Sequence, residues 1–225
     1  MTTIQSRRFA TAAELDAALI ERLERAISRP AAARTALMLA GGRTPLPAYR
    51  ELARRSPHPA AGLHLLFSDD RYVPATSASS NYFQSRPLLD ALALPEGGVL
   101  RVRTELPLEQ AADDYEQQLG RMLRSGVRIG VGLLGLGADG HTASLFDSRH
   151  LEQARGRLAI AVQRPDAMQA VSVTPDLLSQ VAEPLFLVAG PDKHAIVEAF
   201  LRSDSTLTAR RAIAGCPQAE IWIAP

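Results

Sequence analysis

The segment from residue 135 to residue 146 combines three glycines, a carboxylate, an imidazole and two hydroxyl groups in the run GLGADGHTASLF. An apolar, strand-like run precedes it. In α/β proteins, a strand that ends in glycine and opens a helix brings backbone N–H groups close to a ligand. Asp139 and His141 add proton-transfer chemistry, because histidine titrates near neutral pH. The pattern predicts an active-site loop.

The same glycines also fit the GxGxxG pattern of dinucleotide-binding folds, which is the main alternative for this loop. That pattern normally lies in the first strand–helix–strand unit, with an acidic residue about 20 positions later. Here the next predicted strand, 158–162, is followed by Gln163 and Arg164. Asp139 would also repel a pyrophosphate where N–H donors are needed. A nicotinamide or flavin site is therefore disfavoured.

A second glycine turn, Gly41-Gly42-Arg43-Thr44-Pro45, follows another apolar run. Two glycines permit a tight turn, and the following helix dipole favours an anion there. Phosphate is the expected guest, with Thr44 and Arg43 as donors. The turn lacks the Lys-Ser/Thr ending of a nucleotide P-loop. The alternative is a tight turn in which Thr44 caps the helix and Pro45 occupies its first position.

A third polar segment, Phe67 to Pro74 (FSDDRYVP), places two acids and an arginine directly after a strand. Neighbouring residues of an extended segment point to opposite sides. One of Asp69 and Asp70 should therefore face the site while the other supports a loop. Arg71 can bind phosphate or neutralise an acid, although a surface salt bridge is the simpler explanation. Lys193, early in a late helix, is a second candidate phosphate anchor, or a solvated lysine.

Composition limits the remaining function classes. The net charge is +1 over 225 residues and the basic side chains are scattered, so neither nucleic acid nor a membrane is an expected partner. No HExxH motif or cysteine pair accompanies the five histidines, so no metal is expected. The single cysteine, Cys216, and an N-terminus unlike a signal peptide favour the cytoplasm. The expected assembly is a monomer or a weak homo-oligomer.

Short apolar runs alternate with helical patterns along the chain. This order predicts one domain over residues 1–225 with a Rossmann-like α/β fold, a mainly parallel sheet with helices on both faces. Loops at the carboxyl ends of such strands share one edge of the sheet, so the three polar loops should form one site. Predicted strands are 35–40, 63–67, 129–134, 158–162, 170–173, 184–189 and 220–223. Predicted helices are 12–28 (ending before Pro30), 45–55, 81–92, 108–124, a short one from 142, 175–181 and 192–201.

Taken in order, these segments resemble the 6-phosphogluconolactonase family, within the wider glucosamine-6-phosphate isomerase/deaminase superfamily. LMLAGGRTP is similar to the family's SGGSTP phosphate loop, and FSDDRYVP followed by SSNY to its W-x-DER-x-VP…SN segment. GLGADGHTASLF is similar to the family's GxGxDGHTASLFP block, and LVAGPDK to its G-x-x-K element. The resemblance covers nearly the whole chain, and the DGHTASLF block is the most specific part.

The chain departs from the family pattern at five positions, one of which is Ser68, where alanine or threonine is usual. Arg43 stands where serine is common, Asp70 replaces glutamate and Asp147 replaces proline. Ala170 stands where the family usually has arginine. If that arginine holds phosphate, its role here falls to Arg71, Lys193 or Arg43.

The resemblance implies hydrolysis of 6-phospho-D-glucono-1,5-lactone to 6-phospho-D-gluconate, with a phosphorylated sugar lactone as ligand and no cofactor. It implies His141 as general base and Asp139 as its orienting partner. The alternatives are a glucosamine-6-phosphate isomerase/deaminase and a non-catalytic sugar-phosphate sensor. The expected substrate and phosphate contacts are Gly41, Gly42, Arg43, Thr44, Asp69, Arg71, Asn81, Gly137, Gly140 and Lys193.

Overall fold

The computed structural model describes residues 2–28 and 34–225, and these residues form nine strands. They are β1 (Thr3–Arg8), β2 (Thr35–Leu39), β3 (His64–Phe67), β4 (Asp69–Arg71), β5 (Arg128–Gly135), β6 (Ala159–Gln163), β7 (Gln169–Val173), β8 (Val181–Ala189) and β9 (Gln218–Ala224). Six of them form one parallel sheet in the order β1-β9-β8-β5-β2-β3. The predicted parallel α/β fold is confirmed.

Helices connect and cover these strands. They are α1 (Ala12–Ser28), α2 (Leu46–Arg55), α3 (Asn81–Leu92), α4 (Leu108–Arg124), α5 (Ser148–Gln153), α6 (Pro175–Leu178), α7 (His194–Leu201) and α8 (Thr208–Ala212). The helix predicted over 12–28 begins as its sequence indicates, since the Thr11 side chain accepts from the N–H of Glu14 at 3.1 Å. Pro30, predicted to follow its end, lies outside the described residues. None of the described helices combines the length and the apolar character that crossing a membrane would need.

Each central strand of the large sheet supplies side chains to two separate apolar cores. In β2, Leu37 and Leu39 pack with α1, α2 and α3, while Ala36 and Met38 pack with α4 and the later helices. Side chains alternate between the faces of a strand, and a parallel sheet is covered on both. The runs therefore read as continuously apolar rather than alternating.

A second, three-stranded sheet was not anticipated from the sequence. Its order is β4-β7-β6, and both pairings are antiparallel. The acid pair 69–70, expected in a loop, forms β4 within it. Strand β4 has just three residues and is mostly polar, so it lacks the apolar pattern that marks the other strands. The sequence also missed β1, whose residues are largely exposed, and the short helix α8.

Two predicted helix starts are wrong. No helix begins at Thr142: residues 142–145 form a tight turn closed by a bridge, and α5 begins at Ser148 after an Asp147 cap. Helix α2 begins at Leu46 with Pro45 as its N-cap, and no side chain caps it, so Thr44 does not have the predicted capping role. In both places glycines open a multi-residue turn, which delays the first helical hydrogen bond.

Two buried tyrosines hold the strand ends that lead into the polar loops. The Tyr49 hydroxyl accepts from the N–H of Ala40 at 3.2 Å and donates to its carbonyl at 3.0 Å, just after β2. The Tyr115 hydroxyl does the same for Phe67 at the end of β3, at 2.9 and 2.7 Å. Burial raises the pKa of both phenols. These bonds satisfy backbone groups at the points where regular strand pairing stops.

Candidate active site

The carboxyl ends of β2, β5 and β8 surround a cavity of about 600 Å³. The cavity is lined by the double-glycine turn (residues 41–45), by Gly135 and Leu136, and by the segment 187–193. Lys193 lies in a single 3-10 turn, and its Nζ reaches the carbonyl of Leu136 at 3.4 Å. Two of the three polar loops predicted to share one site, the 41–45 turn and the 135–146 segment, line this cavity, and Lys193 lines it as well; none of residues 68–81 does. Two acids, Asp16 and Asp192, also line the cavity, so its charge is mixed.

Asp139 and His141 form a direct pair three and five residues after Leu136, which lines this cavity. Nδ1 of His141 lies 2.5 Å from Oδ1 of Asp139, and the backbone N–H of His141 donates to the same oxygen at 3.2 Å. Burial acts to raise the pKa of Asp139, but the bonds from His141 outweigh it, so this pKa is lowered overall. The carboxylate is therefore an ionised acceptor that fixes the ring orientation, and it leaves Nε2 of the ring for other partners.

Gly137 leaves the space that this pair occupies. A Cβ at that position would overlap Nδ1 of His141 and Oδ1 of Asp139. Its N–H donates to the carbonyl of His141 at 2.9 Å, and the N–H of Gly140 donates to the carbonyl of Gly137 at 3.0 Å. These two N–H groups are engaged within the turn, so they are not the free donors that a helix start would have offered.

Helix α8 holds the far side of the same segment. The N–H of Ala209 donates to the carbonyl of Gly140 at 2.8 Å, and Oγ1 of Thr208 donates to the carbonyl of Phe146 at 3.1 Å. Gly140 has a φ of 83°, and a Cβ there would strike Leu207. Thr208 and Ala209, at the start of α8, thus bind the chain both before and after His141.

The two neighbouring acids of β4 have different surroundings, as their alternation predicts. Asp70 accepts from the backbone N–H groups of Asn81 and Tyr82 at 2.6 and 3.2 Å, and from Ser80 at 3.0 Å, so it holds the start of α3. Burial raises the pKa of Asp70 to about 6, although these donors act to lower it. Asp69 turns the other way and accepts from Ser144 Oγ at 2.7 Å. Asp70 therefore has the supporting role.

Asn81 connects the first two polar segments. Its side-chain amide donates to the carbonyl of Asp69 at 2.8 Å, and its oxygen accepts from Arg71. A Cβ on Gly41 would overlap the Asn81 side chain, so glycine at 41 allows the double-glycine turn to approach α3. Asn81 is 1% exposed. Because it is buried, Asn81 supports Asp69 and Arg71 through these hydrogen bonds. Its predicted contact with the ligand remains a prediction.

Arg71 and Arg43 differ in how firmly the fold holds them. Arg71 donates to Asn81 and to the carbonyl of Ser79, while within the described part of the chain its buried Nε has no acceptor. Arg43 is exposed at the cavity rim.

Ser144 and Arg164 are site residues that the sequence did not single out as candidates. Ser144 is fully buried, and its hydroxyl donates to Asp69 and accepts from Nη1 of Arg164 at 3.2 Å. In the sequence, Arg164 only argues against a dinucleotide fold, because it follows a predicted strand where such a fold would have an acidic residue. Its position directly after a predicted strand, at the edge where the other polar loops meet, was the available signal.

The described residues contain no cluster of three or more histidine, cysteine or acidic side chains that could hold a metal ion. Cys216 is buried and donates to the carbonyl of Leu178 at 3.3 Å, and burial raises the pKa of its thiol to about 11. A thiol of that kind is a poor nucleophile at neutral pH. Asp139, His141 and their neighbours offer proton transfer and hydrogen bonding.

Comparison with known proteins places this geometry in context. The family model described as glucosamine-6-phosphate isomerases/6-phosphogluconolactonase matches residues 6–221. A 6-phosphogluconolactonase of Thermotoga maritima is 36% identical over 162 residues, which are 70% of each chain. One of Homo sapiens is 35% identical over 207 residues, 86% of this chain and 80% of that one. A crystal structure of 6-phosphogluconolactonase from Thermotoga maritima matches all of both chains with a TM-score of 0.79 and 28% identity.

Proposed function

Because the chain belongs to the glucosamine-6-phosphate isomerase/6-phosphogluconolactonase family, we propose that it hydrolyses 6-phospho-D-glucono-1,5-lactone to 6-phospho-D-gluconate. This is the second step of the oxidative pentose phosphate pathway. The observation that carries the proposal is the Asp139–His141 pair, in the segment whose first residues, Gly135 and Leu136, line one cavity with the double-glycine turn and Lys193. Hydrolysis of a δ-lactone needs an activated water, a grip on the remote phosphate and donors for a developing oxyanion. The site contains candidate groups for each of these three requirements.

His141 is the proposed general base. With the proton on Nδ1 directed at Asp139, Nε2 carries the lone pair that accepts a proton from water as the water oxygen attacks the lactone carbonyl. The ring is then positively charged, and the adjacent Asp139 carboxylate stabilises it. Return of that proton to the ring oxygen as the C–O bond breaks gives the free acid. A positioned base of this kind contributes about 10²–10⁴-fold in rate.

The phosphate of the substrate is proposed to bind at the double-glycine turn. Gly42 has a φ of 91° and open space where a Cβ would be, so its backbone can approach an anion closely. Thr44, Arg43 and Lys193 supply polar and positive groups around the same cavity. Binding the phosphate at this end holds the lactone carbonyl toward His141, which lowers the entropic cost of the reaction. Water is the other reactant, so no cofactor enters the scheme.

Arg71 is the proposed donor to the developing oxyanion. Its Nη1 is held by Asn81 and by the carbonyl of Ser79, whereas Nη2 has no hydrogen-bond partner within the described part of the chain and is the group free to donate. A guanidinium fixed by other contacts can stabilise charge without reorganising during the reaction. Asp69, whose carboxylate is bound by Ser144 and not by the backbone at the start of α3, is a candidate acceptor for a sugar hydroxyl.

The decisive assay compares two substrates with the same enzyme. Freshly generated 6-phospho-D-glucono-1,5-lactone should be converted with release of acid well above its spontaneous rate, and glucosamine 6-phosphate should release no ammonia. Ammonia release would support the isomerase/deaminase alternative. Saturable binding of 6-phosphogluconate with no turnover of the lactone would support a sensor. Either result would overturn the proposal.

Replacing the base tests the mechanism. His141→Asn keeps a polar group of similar size but cannot accept the proton, so kcat/KM for the lactone should fall by about 10²–10⁴-fold. His194→Asn, an exposed histidine outside the pair, is the matched control and should stay close to the parent. A loss of less than tenfold in His141→Asn would remove His141 from the role of base.

A further inference from the structure

One face of the small sheet packs against residues 141–146, the segment that begins with His141. In β4 and β7, Asp69 lies opposite Ser172 and Arg71 lies opposite Ala170. Side chains of residues directly opposite each other point to the same face. The backbone N–H of Ser144 donates to Ser172 Oγ at 3.1 Å, so the active-site segment rests on this face.

Arg164 belongs to the same face. Val162 lies opposite Ala170, and the N–H of Arg164 donates to the carbonyl of Met168 at 2.9 Å, which extends the ladder past the end of β6. Residues two apart on a strand share a face, so Arg164 points the way that Val162 and Ala170 do. Its side chain is nevertheless 12% exposed, which is unusual for an arginine at a hairpin end.

The Arg164 guanidinium is held at three of its nitrogens. Nε and Nη2 bind the Asp166 carboxylate at 3.2 and 3.0 Å, and Nη1 donates to Ser144 Oγ at 3.2 Å. The Ser144 hydroxyl in turn donates to Asp69 at 2.7 Å, so Arg164 is linked to Asp69 through Ser144.

Arg164 also contacts the ring on which His141 packs. Its Cζ lies 5.2 Å from the centroid of the Phe146 ring, and the His141 ring lies 4.3 Å from that centroid. A guanidinium over an aromatic ring is an attractive contact, stronger where water is excluded. Arg164 thus touches both Ser144 and Phe146, in the segment that follows His141.

We propose that Arg164 is a positioning residue for lactone hydrolysis: its guanidinium fixes Ser144 and Phe146, and Phe146 holds the His141 ring against Asp139. The activity part of this inference rests on the proposed function, whereas the positioning part does not. Because protein acceptors occupy its nitrogens, Arg164 acts on the geometry of the base and not on substrate affinity. Its loss should therefore lower kcat with little change in KM.

The test compares Arg164→Ala and Arg164→Lys with Arg202→Ala. Arg202 pairs with Asp204 at the same two-residue spacing as Arg164 with Asp166, but its side chain is 69% exposed and its contacts lie outside the site. Two readouts are followed, the ring resonances of His141 by NMR, assigned with His141→Asn, and the kinetic constants. In Arg164→Ala the His141 resonances should move and kcat should fall about 10–100-fold, the cost of a small misplacement. Millimolar guanidinium ion should restore part of this kcat, saturably.

Arg164→Lys keeps the charge but cannot bind Asp166 in bidentate fashion while donating to Ser144, so its kcat and His141 resonances should fall between those of the parent and of Arg164→Ala. Arg202→Ala should match the parent in both readouts and should not respond to guanidinium.

The inference is overturned if a folded Arg164→Ala keeps parental His141 resonances and parental kcat. If Arg164→Ala does not fold, parental values of both in Arg164→Lys overturn it. The NMR readout does not depend on the substrate, so a protein that fails to hydrolyse the lactone can still show whether Arg164 positions His141.

Discussion

Gly137 shows how a single residue type can determine the geometry of the candidate base. The sequence places it among ligand-binding glycines, whereas the structure shows the His141–Asp139 pair filling the space where its side chain would be. The glycine pattern thus serves side-chain packing at 137, while at Gly42 the open space and a φ of 91° suit a close approach by an anion.

Gly137→Ala should therefore damage catalysis. The new methyl group would displace the His141 ring, and kcat/KM for the lactone should fall about 100-fold, since small misplacements of a catalytic group cost rates of this order. Gly130→Ala, in the same strand region, is the control: its Cβ would meet only the carbonyl of Ala36 at 3.9 Å. Steady-state kinetics on both variants, with circular dichroism to check folding, make the comparison. Equal activities would show that the ring position is not critical.

A second prediction concerns Asp70 and the pH dependence of the free energy of unfolding. Burial raises the pKa of Asp70 from 3.8 to about 6 in the folded protein. A raised pKa means that the folded state binds this proton more tightly than the unfolded state. The contribution of Asp70 to the free energy of unfolding therefore decreases as pH rises from about 4 to about 6, by about 1–3 kcal/mol, at about 1.4 kcal/mol per pKa unit.

Asp70→Asn removes this titration. The difference in free energy of unfolding between the parent and the variant should therefore shift in favour of the variant across that pH range, measured by urea unfolding at several pH values. The lost hydrogen bonds to α3 add an offset that does not depend on pH. A difference that stays constant between pH 4 and pH 6.5 would contradict the assignment.

Among the secondary-structure elements, the strand ends matter most for the site. Strand β3 ends at a residue, and strand β2 ends just before one, whose N–H and carbonyl are both bound by a buried tyrosine hydroxyl. The tyrosines come from α2 and α4, so helix packing sets where the polar loops begin. This arrangement links the core on each side of the sheet to a loop of the site.

Tyr115→Phe should destabilise the protein by about 1–3 kcal/mol, because it leaves a buried N–H and a buried carbonyl of Phe67 without partners. Tyr72→Phe is the comparison: it removes one bond, to the carbonyl of Leu106 at 2.6 Å, from a partly buried hydroxyl, and should cost less. Urea unfolding of the two variants gives the measurement. A smaller loss for Tyr115→Phe than for Tyr72→Phe would show that β3 ends without help from this hydroxyl.

For the molecule as a unit, the two apolar cores share one sheet. Every central strand of that sheet faces both cores, so neither core can lose its packing while the strands stay in place. The expected single domain over residues 1–225 predicts one cooperative unfolding transition.

Two probes test this prediction. The single tryptophan, Trp222, belongs to the core formed with α1, α2 and α3, and its fluorescence reports on that side. Far-ultraviolet circular dichroism reports on all helices and strands. Both should give the same midpoint and slope in urea. Separate midpoints would mean that the two sides unfold as independent units.

Much of the fold follows from local patterns along the chain. The helix over 108–124 coincides with α4, and five of the seven predicted strands fall on β2, β3, β5, β8 and β9 of the parallel sheet, because burial on one or two faces imposes a period that neighbouring residues reveal. The other two, 158–162 and 170–173, fall on β6 and β7 of the small antiparallel sheet. The His141 turn, the double-glycine turn and the acid pair were recognisable for a related reason. Glycine, acid and imidazole side chains are costly or unusual directly after buried strands unless they serve a site.

Contacts between distant segments were not visible in this way. The small antiparallel sheet, the tie between Ser144 and Asp69 across 75 positions, and the packing of Arg164 on Phe146 join residues whose neighbours carry no sign of the partner. The role of Gly137 and the division of work between Asp69 and Asp70 depend on the same packing. Local sequence sets which conformations each segment prefers, but the direction of each side chain and the partner it finds are settled when the segments pack together, since burial and hydrogen bonding are then satisfied jointly.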